Sequence, residues 1–241
     1  MAFLRAIRRL LTLVLIVSVV LTLLLVYAIP RLPPQDLPWT PLELDQPIGR
    51  ATAGKLARIG GPACLTLLDE ARIAYRLVGR ILHGQCGYDD GVTWTADRQR
   101  ELRYAPAAPP LACALAAGLV LWEREVVQPA AQQRLGARVV AIDHYGSYSC
   151  RRMYGRSSGH WSEHARARAL DVAGFQLSDG RRVSVAGDWT RNGPKSLFLH
   201  DVRDGGCRLF ATVLSPDYNA AHRDHLHLDE ARRGALWRAC R

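Results

Sequence analysis

The chain has 241 residues, 49% of them hydrophobic, and carries 32 Lys and Arg against 22 Asp and Glu, a formal charge of +10. A basic balance of that size raises nucleic acid as a partner, but the cations are dispersed and accompany no recognised nucleic-acid motif. The excess therefore reads as a soluble, solvated surface that would also attract a cell-wall polyanion or an anionic lipid face. No internal repeat and no glycine-rich phosphate loop is present.

The first element runs from Leu10 to Ala28, LLTLVLIVSVVLTLLLVYA, without a charge. About 20 apolar residues suffice for a helix to cross a bilayer. Arg5, Arg8 and Arg9 precede the run and keep residues 1–9 in the cytoplasm, which sends everything after Ala28 across the membrane. A cleaved signal peptide is the competing reading, since Val26-Tyr27-Ala28 offers small residues to a peptidase. The length of the apolar run favours a retained anchor over 10–28. The expected location is the inner membrane, single-pass, with the C-terminal domain in the periplasm. Cys64, Cys86, Cys113, Cys150, Cys207 and Cys240 form an even, widely spaced set with no CxxC pair, which suits disulfides in an exported domain. Closure of local loops suggests Cys64 with Cys86, Cys113 with Cys150 and Cys207 with Cys240.

Between Ile29 and Ile48, within an expected linker over 29–54, the chain is dense in proline (Pro30, Pro33, Pro34, Pro38, Pro41 and Pro47), which blocks helix and predicts an extended stretch of up to about 60 Å at roughly 3.1 Å per residue. An arm packed on the domain, using Trp39 and Leu42, is the other reading. The domain proper is expected over 55–241. Periodicity predicts a helix over 63–83, then loop and short strand over 84–97 around Cys86 and Trp94, and a second helix over Leu111–Val127. After Gly136, ARVVAIDHYGSYSC reads as strand. ALDVAGFQL and RRVSVAGDW flank a hairpin turn at Ser178-Asp179-Gly180. A helix fits Pro194–Phe210, HLHLD is the last strand, and LDEARRGALWRAC closes the chain. Helices packed on a mostly antiparallel sheet make an α+β architecture with one core.

The chemistry gathers in two clusters, Ser162-Glu163-His164 with Asp171, and His222-Arg223-Asp224-His225-Leu226-His227. Alternation along a strand sends His225 and His227 to one face, roughly 6 to 7 Å apart, so one can bind a metal while the other reaches a substrate beside it. A catalytic zinc takes three protein ligands and keeps a fourth position open. His164, Asp171 and His227 supply two imidazoles and a carboxylate. The gap between His164 and Asp171 suits a loop feeding a strand, with Leu170 and Val172 turned into the core. His225 is placed for proton transfer by the same alternation. Asp224 has the opposite parity and would need a bulge, or a strand that starts only at His225, to turn inward. A Ser-His-Asp hydrolase using Ser162 or Ser215 is a weaker reading, because neither serine lies in a nucleophile-elbow sequence.

S-x-H-x(6)-D with a later H-x-H resembles the zinc peptidase group that includes lysostaphin, the D-Ala-D-Ala metallopeptidases and the zinc fold of Sonic hedgehog. More closely, SYSCR, SEHARARALDVAGF and GCRLFATVLSPDYNAAHRDHLHLD, in that order, resemble the bacterial extensin-like C-terminal domain proteins from roughly residue 55 onward. The resemblance implies a zinc site of His164, Asp171 and His227 that activates water for attack on a peptide carbonyl. It implies Asp224 as the acidic residue three before the last ligand, His222 as the first histidine of H-x-x-H-x-H, and Arg151, with Arg152 as its neighbour and rival, holding substrate or the oxyanion. The expected function is a zinc-dependent peptidoglycan hydrolase of DD-endopeptidase or DD-carboxypeptidase type. Its partners would be peptidoglycan stem peptides and the inner membrane, not nucleic acid. The alternative is a non-catalytic zinc-containing wall-binding module. Many relatives have glycine where this chain has Ala167, a departure that is harmless only if φ there is negative.

Overall fold

A computed structural model describes residues 1–95, 102–231 and 238–241. Helix α1 (Ala2–Ala28) is long and apolar enough to cross a membrane, and its central window is not buried against the rest of the chain. It could be a membrane span or a signal sequence. The domain that follows contains α2 (Thr52–Arg58), α3 (Gly61–Glu70), β1 (Tyr75–Leu77), β2 (Ile81–His83), β3 (Cys86–Tyr88), β4 (Gly91–Trp94), β5 (Arg103–Ala105), β6 (Leu111–Ala112) and α4 (Cys113–Trp122). Then come α5 (Gln128–Leu135), β7 (Val139–Gly146), β8 (Ala169–Leu177), β9 (Arg182–Ser184), α6 (Val185–Asp188), α7 (Pro194–Gly206), β10 (Thr212–Leu214), β11 (Leu226–Asp229) and β12 (Ala239–Cys240). The principal sheet has the order β12-β10-β11-β8-β7-β5, with β9 beside β8. β5 and β12 run parallel to their neighbours and the other pairs are antiparallel, so the fold is α+β on a mixed sheet.

The core is built on the most apolar helix of the domain. Every residue of α4 is buried. Trp122 at its end packs against Phe175 of β8 and Phe210, with Phe198 of α7 edge-on to Phe175. The Trp122 indole N–H donates to the Val202 carbonyl at 2.9 Å, so this large ring is buried without an orphaned donor. Each fully buried aromatic of this kind contributes on the order of 2–3 kcal/mol.

Four expectations are corrected. The helix expected over 63–83 ends at Glu70, and Arg72 turns the chain with φ of 54°. The residues that follow form β1 and β2 instead, their backbones taken up by antiparallel pairing with the more buried strands β4 and β3. The helix expected to end at Val127 continues to Leu135 and stops at Gly136 in the left-handed conformation. Pro129 would break an α-helical ladder. A π-turn over Glu123–Val127, in which Gln128 N–H donates to the Glu123 carbonyl, admits it without a break. RRVSVAGDW is strand only at Arg182–Ser184, and the Ser184 hydroxyl then caps α6. The last expected helix ends at Gly206, not Phe210. β8 spans the stretch expected of it, and much of the closing segment, residues 232–237, lies outside the described residues.

The disulfides are Cys64–Cys113, Cys86–Cys150 and Cys207–Cys240. Only the third follows the local-loop rule. The first two staple elements far apart in sequence, because α3 lies on α4 and β3 lies beside the segment leading to Arg151. The proline-rich stretch is held on the domain from Gln35 onward. Leu42 and Leu44 are buried in the core, and the Lys55 ammonium donates to the carbonyls of Pro34 and Pro41, the Gln35 side chain and the Thr40 hydroxyl at 2.8 to 3.2 Å. Arg124 fixes the carbonyls of Leu44 and Gln46. This part of the expected 29–54 linker is therefore a packed arm, because its leucines gain more from burial than a solvated spacer would retain.

Candidate metal centre

Two strands and one turn bring the expected ligands together. In the antiparallel pairing of β11 with β8, His227 is directly opposite Asp171. Leu170 and Val172 are fully buried on the other face. His164 comes from a short 3-10 turn, Glu163–Arg166, whose N-cap Ser162 accepts a hydrogen bond from the His164 N–H at 3.3 Å. The turn closes through Ala167 at φ of 51°. Alanine carries roughly 1–2 kcal/mol of left-handed strain there, partly offset by its buried methyl, worth about 0.8 kcal/mol. The harmless negative φ is thus not what the structure has.

His164 Nε2 lies 3.2 Å from both Asp171 Oδ1 and His227 Nδ1, and His227 Nδ1 lies 2.9 Å from Asp171 Oδ1. All three residues are 4–9% exposed, so little water reaches them. The far side of each imidazole is also occupied. His164 Nδ1 donates to the Ser147 carbonyl at 3.1 Å, and His227 Nε2 donates to Asp229 Oδ2 at 3.0 Å. With those protons placed outward, the neutral rings turn bare lone pairs toward each other and toward a carboxylate. Such a set repels itself unless a positive charge lies among it, and these atoms could hold a metal ion.

A proton is the alternative positive charge. Burial opposes it on His227, but Asp171 and Asp229 outweigh burial and raise that imidazole to about 9. Burial likewise disfavours the charged Asp171, yet hydrogen bonds from His164 and His227 hold its carboxyl well below the ordinary range.

The remaining candidates surround this group. His225 precedes β11, with Nε2 3.6 Å from Asp171 Oδ1 and Nδ1 2.9 Å from Asp224 Oδ1. Asp224 thus turns toward His225, not toward the ligands, because the strand begins only at Leu226. His222 donates from Nδ1 to Asn219 at 2.8 Å, and burial, with the nearby charges of His227 and His225, lowers it to about 4. Arg151 is exposed and lines the same cavity, of about 710 Å³. Arg152 instead covers the Trp161 ring at 4.5 Å and bonds the Gly159 carbonyl. Ser215 is fully buried with its hydroxyl on the Arg241 carbonyl, which is no position for a nucleophile.

Three residues escaped the sequence reading. Asp229 continues the alternation of His225 and His227 by one more step, so strand parity alone would have found it. Ser147 acts through its carbonyl and left no signal in its side chain. Thr212, opposite Asp229 on β10, has a buried hydroxyl with no partner among the described residues and faces the cavity.

The fold and site define an α+β domain with a buried His-Asp-His group able to hold a metal ion, behind an apolar N-terminal helix. The model of the extensin-like protein C-terminus matches residues 62–241, and the chain belongs to that family. No curated protein and no solved structure matches it.

Two outcomes follow from the carboxylates behind the site. Asp229→Ala removes the acceptor that keeps the proton on His227 Nε2, so metal affinity measured by chelator competition should fall about 10–100-fold. Unchanged affinity would show that Asp229 does not orient the ligand. Glu230 is buried, and burial together with the charge of Asp229 pushes its carboxyl well above the ordinary range. The folded chain then keeps a proton that the unfolded chain releases above pH about 4.3. This contribution to stability is complete below that pH and is lost as pH rises toward the folded pKa. Glu230→Gln should remove that slope, matching the parent near pH 4 and exceeding its melting temperature at neutral and alkaline pH. Parallel pH profiles would contradict the assignment.

Proposed function

We propose that this protein is a zinc-dependent peptidoglycan hydrolase that cleaves a peptide bond in D-Ala-containing stem peptides or cross-links, in the manner of a DD-endopeptidase or DD-carboxypeptidase. The observation that carries the reading is the convergence of His164 Nε2, Asp171 Oδ1 and His227 Nδ1 beside a cavity that also holds His225, His222 and Arg151. Two imidazoles and one carboxylate suit zinc, which when bound supplies Lewis acidity toward a carbonyl and lowers the pKa of a bound water to about 7.

The chain's own groups supply the rest of the chemistry. With Nδ1–H of His225 held by Asp224, its Nε2 is the nitrogen that takes a proton from the nucleophile and returns it to the leaving amine. Asp224 thereby sets the tautomer of His225 and does not compete with it for the proton. Arg151, which forms no ion pair among the described residues, faces the cavity where negative charge develops on the carbonyl oxygen. His222, neutral at pH 7 and donating to Asn219, keeps Nε2 as an acceptor for a substrate N–H. The apolar helix and three disulfides support placement in the inner membrane with the domain in the periplasm, where this polymer lies.

The full-length protein, incubated with isolated muropeptides, should release D-Ala-terminated or uncross-linked products, lose this activity with a chelator and regain it with zinc. Intact substrate in the presence of fully zinc-loaded protein would leave a wall-binding module as the function. His227→Ala should lose bound zinc, whereas His225→Ala should keep it and lose about 10²–10⁴-fold in turnover. Equal loss of zinc in both variants would refute that division of roles.

A further inference from the structure

The arch between Arg151 and Ser162 is unlike the rest of the cavity wall. Its two limbs are zipped by an Arg152–Trp161 bridge, with Met153 N–H on the His160 carbonyl and Ser162 N–H on the Arg151 carbonyl at 3.0 and 3.1 Å. Its base is fixed by Cys86–Cys150. The arch is thus a built feature whose tip is nevertheless exposed. Tyr154 at the tip takes φ of 57°, which is strained for a tyrosine, and remains 48% exposed beside Met153.

Exposed apolar side chains collect at this mouth. Among the described residues beyond Arg50 the exposed large hydrophobics are Leu77, Leu82, Tyr145, Met153, Tyr154, Leu197 and Tyr218. Met153, Tyr154 and Tyr218 line the cavity, and the Tyr145 ring lies 5.7 Å from His225. Exposed rings gathered at one opening mark a contact surface for a ligand. The arch also has one sign of charge: residues 147–162 include Arg151, Arg152 and Arg156 and no acidic residue. Arg156 lies over the Tyr154 ring at 5.7 Å, and neither it nor Arg151 has an ion pair among the described residues.

We propose that the arch is a second subsite that grips the sugar backbone of a glycan bearing acidic peptides, while the peptide enters the metal cavity. This deepens the proposed function, on which it rests for the identity of the polymer. A sugar ring presents a flat C–H face that packs on aromatic and thioether surfaces and leaves its hydroxyls in water, which matches Met153 and Tyr154. The unpaired guanidinium groups complement the carboxylates of the attached peptides. The cavity of about 710 Å³ is filled by a short peptide. The sugars to which that peptide is joined must then run over the mouth, where the rings are.

The test separates glycan recognition from catalysis. Full-length protein in detergent, with chelator present to prevent hydrolysis and salt high enough to screen surface charge, is sedimented with purified sacculi. The parent protein should co-sediment and be displaced by peptide-free glycan strands. The double variant Met153→Ala with Tyr154→Ala should bind sacculi roughly tenfold more weakly, and without chelator should bind as much zinc as the parent. Sedimentation of the variant like the parent would overturn the proposal, as would displacement by free stem peptides but not by glycan strands. Absence of peptide hydrolysis in the separate zinc-loaded assay would instead overturn the peptidase reading and leave this binding result standing.

Discussion

The pairing register of β8 with β11 is the constraint on which the site depends. With His227 opposite Asp171, the two side chains stand on one face while Leu170, Val172, Leu226 and Leu228 fill the core on the other. A slip of one residue would turn the polar pair into the core and the leucines toward the cavity. The hydrophobic effect therefore sets the spacing of the candidate ligand atoms, since the register that buries the aliphatics is the one that assembles the donors. Asp229 and Thr212 extend the same logic to a third strand, where they face each other.

Around this sheet, covalent links hold what the core cannot. Cys86–Cys150 fixes the approach to Arg151, and Cys207–Cys240 ties the end of α7 to β12 at the cavity rim. Each contributes about 2–4 kcal/mol through the unfolded chain it restricts. The larger effect here is positional, because the arch from Arg151 to Ser162 has little buried surface of its own. Lys55 performs a similar task for the arm, gathering four oxygens around one ammonium. With Gln35 already packed on the domain, only residues 29–34 separate it from the end of α1, a span of at most about 20 Å when extended. An anchored chain would hold its domain close to the membrane.

Alternation of side chains made much of the site legible in the sequence. The period of two placed Asp171 among core residues and put His225 and His227 on one face, and it would have delivered Asp229 had it been carried one step further. Asp224 was harder, because its role depends on where the strand starts: it lies outside β11 and serves His225. Tertiary contacts hid the rest. Nothing in DEARIAY announces that Arg72 turns the chain, since β1 forms only by pairing with distant Trp94, Thr93 and Val92. Pro129 reads as a helix stop, and only the π-turn before it lets the helix continue. Local loop length misassigned two disulfides because helix and strand packing, not sequence distance, decides which cysteines meet.

We propose that His164, Asp171 and His227 hold one metal ion, with His227 bound through Nδ1 because Asp229 occupies Nε2. Anomalous diffraction at the zinc edge, from crystals of the zinc-loaded protein, tests this directly. A single strong peak is expected about 2.0–2.2 Å from His164 Nε2, His227 Nδ1 and an Asp171 oxygen. A fully loaded crystal with its peak elsewhere, or with His227 turned to bind through Nε2, would contradict it.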